Sequence, residues 1–307
     1  MVILGDKHQF TDIELATLKE KFTSIDHISY RDTPSQVVIE QIESCIQKLP
    51  KSVILLNTRA HIPDELLSYL VELESKGIVY ISTESFLEQY LEKCYIEGDQ
   101  TNITFLEKIK PYSSIQYIQK RFVDYSGVFI IGFFTLPFML YAIYRIRKES
   151  PGSAIFKQKR VGLRGKEFTC YKFRSMKLDA EKHGVQFATE DDPRIFTWGL
   201  TMRKTRIDEL PQLWNILKGD MHLVGPRPER RHWVDQFEKD IPYYNERHLV
   251  RPGITGWAQV NYPYGANTED AKQKLMYDLY YIKYWNFWLE IKTAWKTVLV
   301  ILSKKGI

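Results

Sequence analysis

The chain has 307 residues, a formal net charge of +5 and 44% hydrophobic residues. That length holds two modest domains with cores of their own, and the mild basic excess favours an anionic partner without naming one. The cysteines, Cys45, Cys94 and Cys170, are isolated and odd in number, which argues against a disulfide framework or a zinc site and fits a reducing compartment.

The opening stretch MVILGDKHQF has no basic region followed by an apolar one, so no signal peptide is expected and the N-terminal part is expected in the cytosol. Residues 1–96 alternate between strand and helix patterns. MVILG, SVILLN and IVYIS are short apolar runs rich in β-branched residues, HISY reads as a further strand, and helical patterns fall at 11–22, 35–48, 64–76 and 83–93. Such alternation predicts a small parallel α/β sheet. No GxGxxG follows the first strand, so a complete dinucleotide site is not expected, and the domain reads as regulatory or structural. Residues 97–118 are polar, contain Pro111, and read as a linker.

GVFIIGFFTLPFMLYAIY follows at 127–144, within a predicted membrane helix at 119–148. The run is short against the roughly 20 apolar residues that span a bilayer. Pro137 falls near its middle, where it removes a backbone hydrogen bond and favours a bend. Lys120 and Arg121 precede the run, and Arg145, Arg147 and Lys148 follow it. A spanning helix carries its positive charge mostly at one end. Symmetric flanks and a central proline therefore predict a helix that enters one leaflet, bends and returns, with a plain span or a buried core helix as the alternatives.

Residues 151–178, PGSAIFKQKRVGLRGKEFTCYKFRSMKL, predict a hairpin turning at Gly162 and Gly165. Its lysines and arginines, Lys172 and Arg174 among them, face a single acid, Glu167. Charge this dense holds lipid head groups or phosphates, or is simply a solvated face; no nucleic-acid motif accompanies it. Near the C-terminal end, Tyr277, Tyr280, Tyr281 and Tyr284 form one helical stripe and Trp288, Ile291, Trp295, Val298 and Leu302 another. Core packing and an interfacial helix in the head-group layer predict the same periodicity.

The segment RKTRIDELPQLWNILKGD, residues 203–220, sets Asp208 beside Glu209 after Arg203, Lys204 and Arg206. Two readings stand. In one, Asp208 caps a helix whose first turn holds Pro211 and whose end is Gly219, and Glu209 complements the dipole. In the other, both carboxylates line an anion site at that helix start, with Mg²⁺ between them and a phosphorylated ligand. Downstream, HLVGPRPE sets Arg227 on a loop stiffened by Gly225, Pro226 and Pro228, and a rigidly held guanidinium suits a phosphate. His222, His232 and His248 read as surface or packing histidines, Asp191 and Asp192 as a turn before Pro193, and Trp257 as packing or substrate contact.

KQKRVGLRGKEFTCYKFRSM, RKTRIDELPQLWNILKGDMHLVGPRPE and VRPGITGWAQVNY, in that order, resemble the bacterial sugar transferase family of monotopic polyprenyl-phosphate phosphoglycosyl transferases, over about residues 120–307. The resemblance implies an α/β accessory domain at 1–96 and a mostly α, membrane-associated catalytic domain at 149–307. A re-entrant, proline-broken helix at 119–148 would precede it, and the domain would carry a basic hairpin and interfacial amphipathic helices. It implies transfer of a sugar-1-phosphate from a UDP-sugar to polyprenyl phosphate, at the cytoplasmic face of a bacterial inner membrane, as the first membrane step of a surface polysaccharide. Asp208 would be the nucleophile and Glu209 a base; both would hold Mg²⁺. Arg203 and Arg227 would bind phosphate or nucleotide, and Lys172 and Arg174 would line the anionic site. Membrane lipids are implied partners, nucleic acid is not, and the accessory domain raises a homodimer as an expectation. Against that resemblance the accessory domain reads as abbreviated, without the multi-helix membrane region that the larger members lead one to expect before it. A soluble sugar-nucleotide enzyme and a non-catalytic membrane-surface scaffold are the competing expectations.

Overall fold

A computed structural model describes the chain except residues 49–52, 60–61, 97–106, 108, 179, 181, 183–191, 264, 266 and 303–307. Asp191 and half of the expected linker thus lie outside the described residues. The chain divides into two compact units, Met1–Tyr95 and Ile96–Ile307.

The first unit follows the predicted alternation: β1 (Val2–Leu4), α1 (Asp12–Lys19), β2 (Asp26–Ile28), α2 (Ser35–Lys48), β3 (Val53–Leu56), α3 (Asp64–Ser75) and β4 (Val79–Ser82). A short α4 (Thr83–Phe86) then runs into a π-helical turn, Leu87–Leu91. All strand pairs are parallel, in the order β2-β1-β3-β4. β1 is buried at every residue, as expected of a central parallel strand covered by helices on both faces. Leu4, Ile54, Val38, Ile42, Leu66 and Leu70 fill the core. α1 starts at a capping box in which Thr11 and Glu14 satisfy each other's backbone N–H groups. At the carboxyl ends of β1 and β3, where ligands of such sheets bind, Asn57 donates to the carbonyls of Gly5 and His8 and accepts from the His8 N–H. Gly5 stands at φ +97°, and a Cβ there would meet the Asn57 carbonyl at 2.6 Å. Backbone and amide therefore occupy that crest.

The second unit contains a 36-residue helix, α5 (Ser114–Glu149), about 54 Å long at 1.5 Å per residue. It starts inside the expected linker, at a capping box of Ser113 and Gln116. Its most apolar window is only 11% buried, so the core-helix alternative does not hold. Pro137 lies within its span and leaves the Phe133 carbonyl without a helical donor; two residues earlier, the Thr135 hydroxyl donates to the Ile131 carbonyl, a back-bond that accompanies helix bending.

Both ends of α5 pack on the same unit. Val128 meets Leu213, Ile216 and Met221, while Ala142 and Ile146 meet Ala154, Phe173, Phe196 and Met202. The flank charges read from the sequence need correcting at one position. Lys120 is fully buried, and its Nζ donates to Glu290 Oε1 at 2.5 Å, to the Tyr281 hydroxyl at 2.8 Å and to the Val224 carbonyl at 2.5 Å.

The predicted hairpin is β5 (Ile155–Val161) paired antiparallel with β6 (Glu167–Phe173), in register from Ile155↔Phe173 to Val161↔Glu167. Then come α6 (Thr197–Lys204), a 3₁₀ turn at Ile207–Glu209, α7 (Gln212–Lys218), β7 (His222–Val224), α8 (Arg231–Asp240), β8 (Gly253–Thr255), α9 (Trp257–Asn261), α10 (Thr268–Lys283) and α11 (Phe287–Leu302). β7 and β8 pair in parallel. Their approach is close enough that a Cβ on Gly253 would sit 2.1 Å from the Gly225 nitrogen.

The two aromatic stripes part company. Tyr277 and Tyr281 are buried, so α10 is a core helix and not an interfacial one, whereas Trp288 and Trp295 on α11 are 77% and 63% exposed. Trp257 is buried beneath Lys292 and Lys296, 5.1 and 4.6 Å from its ring, which resolves it as packing.

Candidate active site

Strand pleating puts alternate residues of the hairpin on one face. Gln158 and Arg160 of β5, with Lys172 of β6 and Arg174 just beyond it, line a cavity of about 520 Å³. Arg203 and Arg206, Asp208 and Glu209, Arg227, and Lys274 with Asp278 of α10 close it. The basic hairpin thus has two sides: Lys157, Lys159 and Lys166 are exposed, while Lys172 and Arg174 turn inward.

The acidic pair does not cap α7. Pro211 is the N-cap residue and makes no side-chain cap bond; Asp208 and Glu209 belong to the 3₁₀ turn before it, entered through Arg206 at φ 58°. The left-handed Arg206 ends the run of α6 and turns both carboxylates towards the cavity. Gly219, at φ 83°, does close α7 as predicted. The cap reading fails because the helix starts one turn later than the acids.

The two carboxylates differ sharply. Glu209 Oε1 accepts from Lys172 Nζ and from Arg227 Nη2, each at 2.9 Å, with Arg206 Nη1 at 3.9 Å. Burial raises its pKa, but Arg227, Lys172 and Arg206 outweigh that and hold it well below the usual carboxylate range. Asp208 is 9% exposed, and its Oδ1 has no hydrogen-bond partner among the described residues. Burial first, and then the charge of Glu209, push Asp208 up to about 6 against the pull of Lys172, Arg206 and Arg203. A buried carboxylate oxygen left unpaired costs stability and is therefore a place to look for a ligand.

The predicted cations fall into three kinds. Lys172 and Arg227 hold Glu209. Arg203 is half-buried at the end of α6, and its guanidinium makes no hydrogen bond to another described residue. Arg174 lines the cavity, but its guanidinium is engaged with Ser153 O at 2.7 Å, Ser150 Oγ at 2.5 Å, and the carbonyls of Ser150 and Pro151. It anchors the exit of α5 rather than offering its fork to an anion.

No three His, Cys, Asp or Glu side chains gather as a metal cluster among the described residues. Mg²⁺ commonly takes only one or two protein carboxylates and completes its shell with water and substrate phosphate. The unpaired Asp208 Oδ1 fits that pattern. Glu209 Oε1, already occupied by two cations, fits it less well.

Some contributors escaped the sequence reading. Arg247 Nη2 donates to the Arg227 carbonyl at 3.0 Å and to Asp278 Oδ2 at 2.8 Å, fixing the arginine loop from behind. The available signal was Asp278 itself, an acid beside the tyrosine stripe, one turn after Lys274. His222 is a packing histidine, 2.5 Å from Asp124 through Nδ1 and pushed down to about 4, chiefly by burial. Asp192 pairs with Arg194 at 2.6 Å, consistent with a loop turn.

A family model described as bacterial sugar transferase matches residues 115–304. The chain is 46% identical over 211 residues to UDP-N-acetylgalactosamine-undecaprenyl-phosphate N-acetylgalactosaminephosphotransferase of Aeromonas hydrophila, covering 69% of this chain and 50% of that protein. It is 43% identical over 173 residues to UDP-glucose:undecaprenyl-phosphate glucose-1-phosphate transferase of Xanthomonas campestris pv. campestris, covering 55% and 36%. An uncharacterized sugar transferase of Bacillus subtilis is 39% identical over 194 residues, covering 62% of this chain and 90% of its own length. The chain thus spans half or less of the length of the first two relatives.

Proposed function

The chain belongs to the bacterial sugar transferase family, and from that premise we propose that it transfers a sugar-1-phosphate from a UDP-sugar to polyprenyl phosphate, as its named relatives do with undecaprenyl phosphate. The observation that carries this reading is Asp208 Oδ1, a buried carboxylate oxygen without a partner among the described residues, in a cavity lined by Lys172, Arg203, Arg206 and Arg227. In the proposed first step an Asp208 oxygen attacks the β-phosphorus of the UDP-sugar. The bond from that phosphorus to the bridging oxygen breaks, and UMP leaves with the electron pair. In the second, a phosphate oxygen of the polyprenyl phosphate attacks the same phosphorus and breaks its bond to Asp208, which regenerates the carboxylate. Carboxylates are competent covalent nucleophiles.

Arg227 and Lys172 keep Glu209 ionised and are themselves held in place by it, so their charges are preorganised before substrate arrives. Arg203, whose guanidinium makes no hydrogen bond to another described residue, takes a phosphate oxygen. Mg²⁺, when bound, would be held by Asp208 and would neutralise charge on the diphosphate. The sugar remains unassigned, as relatives named for N-acetylgalactosamine and for glucose match this chain at similar identity, 46% and 43%.

The same reading has α5 re-entering one leaflet, with the site at the cytoplasmic face of the inner membrane and the reaction opening a surface polysaccharide pathway. Its support is that both ends of α5 pack on one body while Phe133, Phe134 and Phe138 between them are 59–69% exposed. Cysteines placed at 118 and 148 should label from the same side of the membrane; opposite-side labelling defeats the re-entrant path. For the chemistry, Asp208→Asn should abolish UMP release from UDP-sugars in the presence of polyprenyl phosphate, and turnover near that of the unaltered protein would defeat the covalent mechanism.

A further inference from the structure

Two charged residues of the long helix reach into the body of the same unit. Lys120 and Asp124 are one helical turn apart, on one face of α5, and both are fully buried. Both bind the short strand β7. Asp124 Oδ1 accepts from the Leu223 N–H at 2.8 Å, and its Oδ2 lies 2.5 Å from His222 Nδ1. Lys120 Nζ donates to the Val224 carbonyl at 2.5 Å, with Glu290 as its counter-ion.

Three residues beyond Val224 stands Arg227, whose Nη2 donates to Glu209 Oε1 at 2.9 Å. The link between has little slack. Pro226 and Pro228 bracket the arginine with fixed φ. A Cβ on Gly225 would lie 2.7 Å from the Arg251 carbonyl, so the segment is packed tight against the residues before β8. A shift of β7 therefore moves Arg227.

Stability alone does not explain these residues. An apolar pair of similar volume would join a helix to a strand at least as well as buried charges do. What the charges add is direction: an N–H and a carbonyl of one strand are each held along a fixed line.

We propose that Lys120 and Asp124 are positioning residues for the Arg227 loop, so that the membrane helix itself sets where the Arg227 guanidinium meets Glu209. The proposal rests on the transferase reading above, in which Arg227 also meets the diphosphate.

The test is a double-mutant cycle on the full chain in lipid nanodiscs, read as UMP release from a UDP-sugar with polyprenyl phosphate. Asp124→Ala should lower kcat/KM about 10- to 100-fold, and Asp124→Asn, which keeps an acceptor for the Leu223 N–H, should recover most of it. Combined with Arg227→Ala, Asp124→Ala should cost almost nothing further, because its effect already runs through Arg227. Lys120→Met should behave as Asp124→Ala does. Losses that multiply in the double variant overturn the proposal, as does normal turnover in Asp124→Ala. If Asp124→Ala and Lys120→Met both fail to accumulate as folded protein, the contacts serve folding and the proposal is also overturned. Unaltered protein that releases no UMP sinks the transferase reading, and this inference with it.

Discussion

Each unit buries a carboxylate, and the two are treated in opposite ways. In the first, Glu14 is 2% exposed, accepts from the Thr11 N–H at 2.6 Å, lies 3.0 Å from His8 Nε2 and pairs with the fully buried Lys93. Burial raises its pKa, but the His8 hydrogen bond and the Lys93 charge outweigh that and bring it to about 2. In the second, Asp208 is similarly buried, its Oδ1 is unpaired, and its pKa stands near 6. A buried acid satisfied from within is held in place, whereas an unsatisfied one is maintained at a cost to stability, and such costs concentrate at functional sites. The contrast separates the two units by what their charges do.

The largest expected effect breaks the comparison at its functional end. Asp208→Asn should lower turnover at least about 10³-fold, the scale on which loss of a covalent nucleophile is felt. It should leave the thermal stability of Ile96–Ile307 unchanged or raised, because a strained carboxylate has been removed; a marked loss of stability would return Asp208 to a structural role.

At the other end, Glu14→Gln removes the carboxylate from the buried Lys93–Glu14 ion pair. It should cost roughly 3–5 kcal/mol, read as faster amide exchange in β1 and β3, with UMP release unaltered. Acid provides the same test without mutation. The folded pKa of Glu14 is depressed from 4.5 to about 2, so its stabilisation is full above about pH 4.5 and is lost as pH falls towards 2. Amides of the first unit should therefore exchange faster across that window in the unaltered protein, and the added acid sensitivity should be absent from Glu14→Gln.

The smallest effect concerns Arg203, whose guanidinium is not used internally. Arg203→Ala should raise KM for the UDP-sugar about tenfold, the range of one charged contact, with no change in melting temperature. A stability loss would mean that the residue is structural after all.

How much of this was legible depended on the reach of each interaction. The helices at 35–48 and 64–75 were read within a residue of their ends, since periodicity and neighbouring turn residues are local signals. The hairpin and its turn followed from Gly162 and Gly165. The acid pair and Arg227 were picked out by charge and proline spacing, and the structure brings them together in one cavity. Lys120 was misread because a lysine beside an apolar run looks like a membrane flank; its partner Glu290 lies 170 residues away. The cap alternative for Asp208 arose because Pro211 marks a helix start, and sequence spacing does not say which side of that start the acid occupies. The tyrosine and tryptophan stripes share one period, so only packing could show that Tyr281 is core and Trp288 is not.

The sequence by itself therefore determined the two-part organisation, the order of elements and the residue types available for phosphate chemistry, because these rest on contacts within a few turns of chain. Tertiary structure alone decided which carboxylate is held and which is left unpaired, and which arginine is bound to backbone carbonyls. It alone tied the long helix to the strand that carries Arg227. Burial and pairing belong to neighbours distant in the chain, and those two quantities set whether a charged side chain stabilises the fold or is free to react.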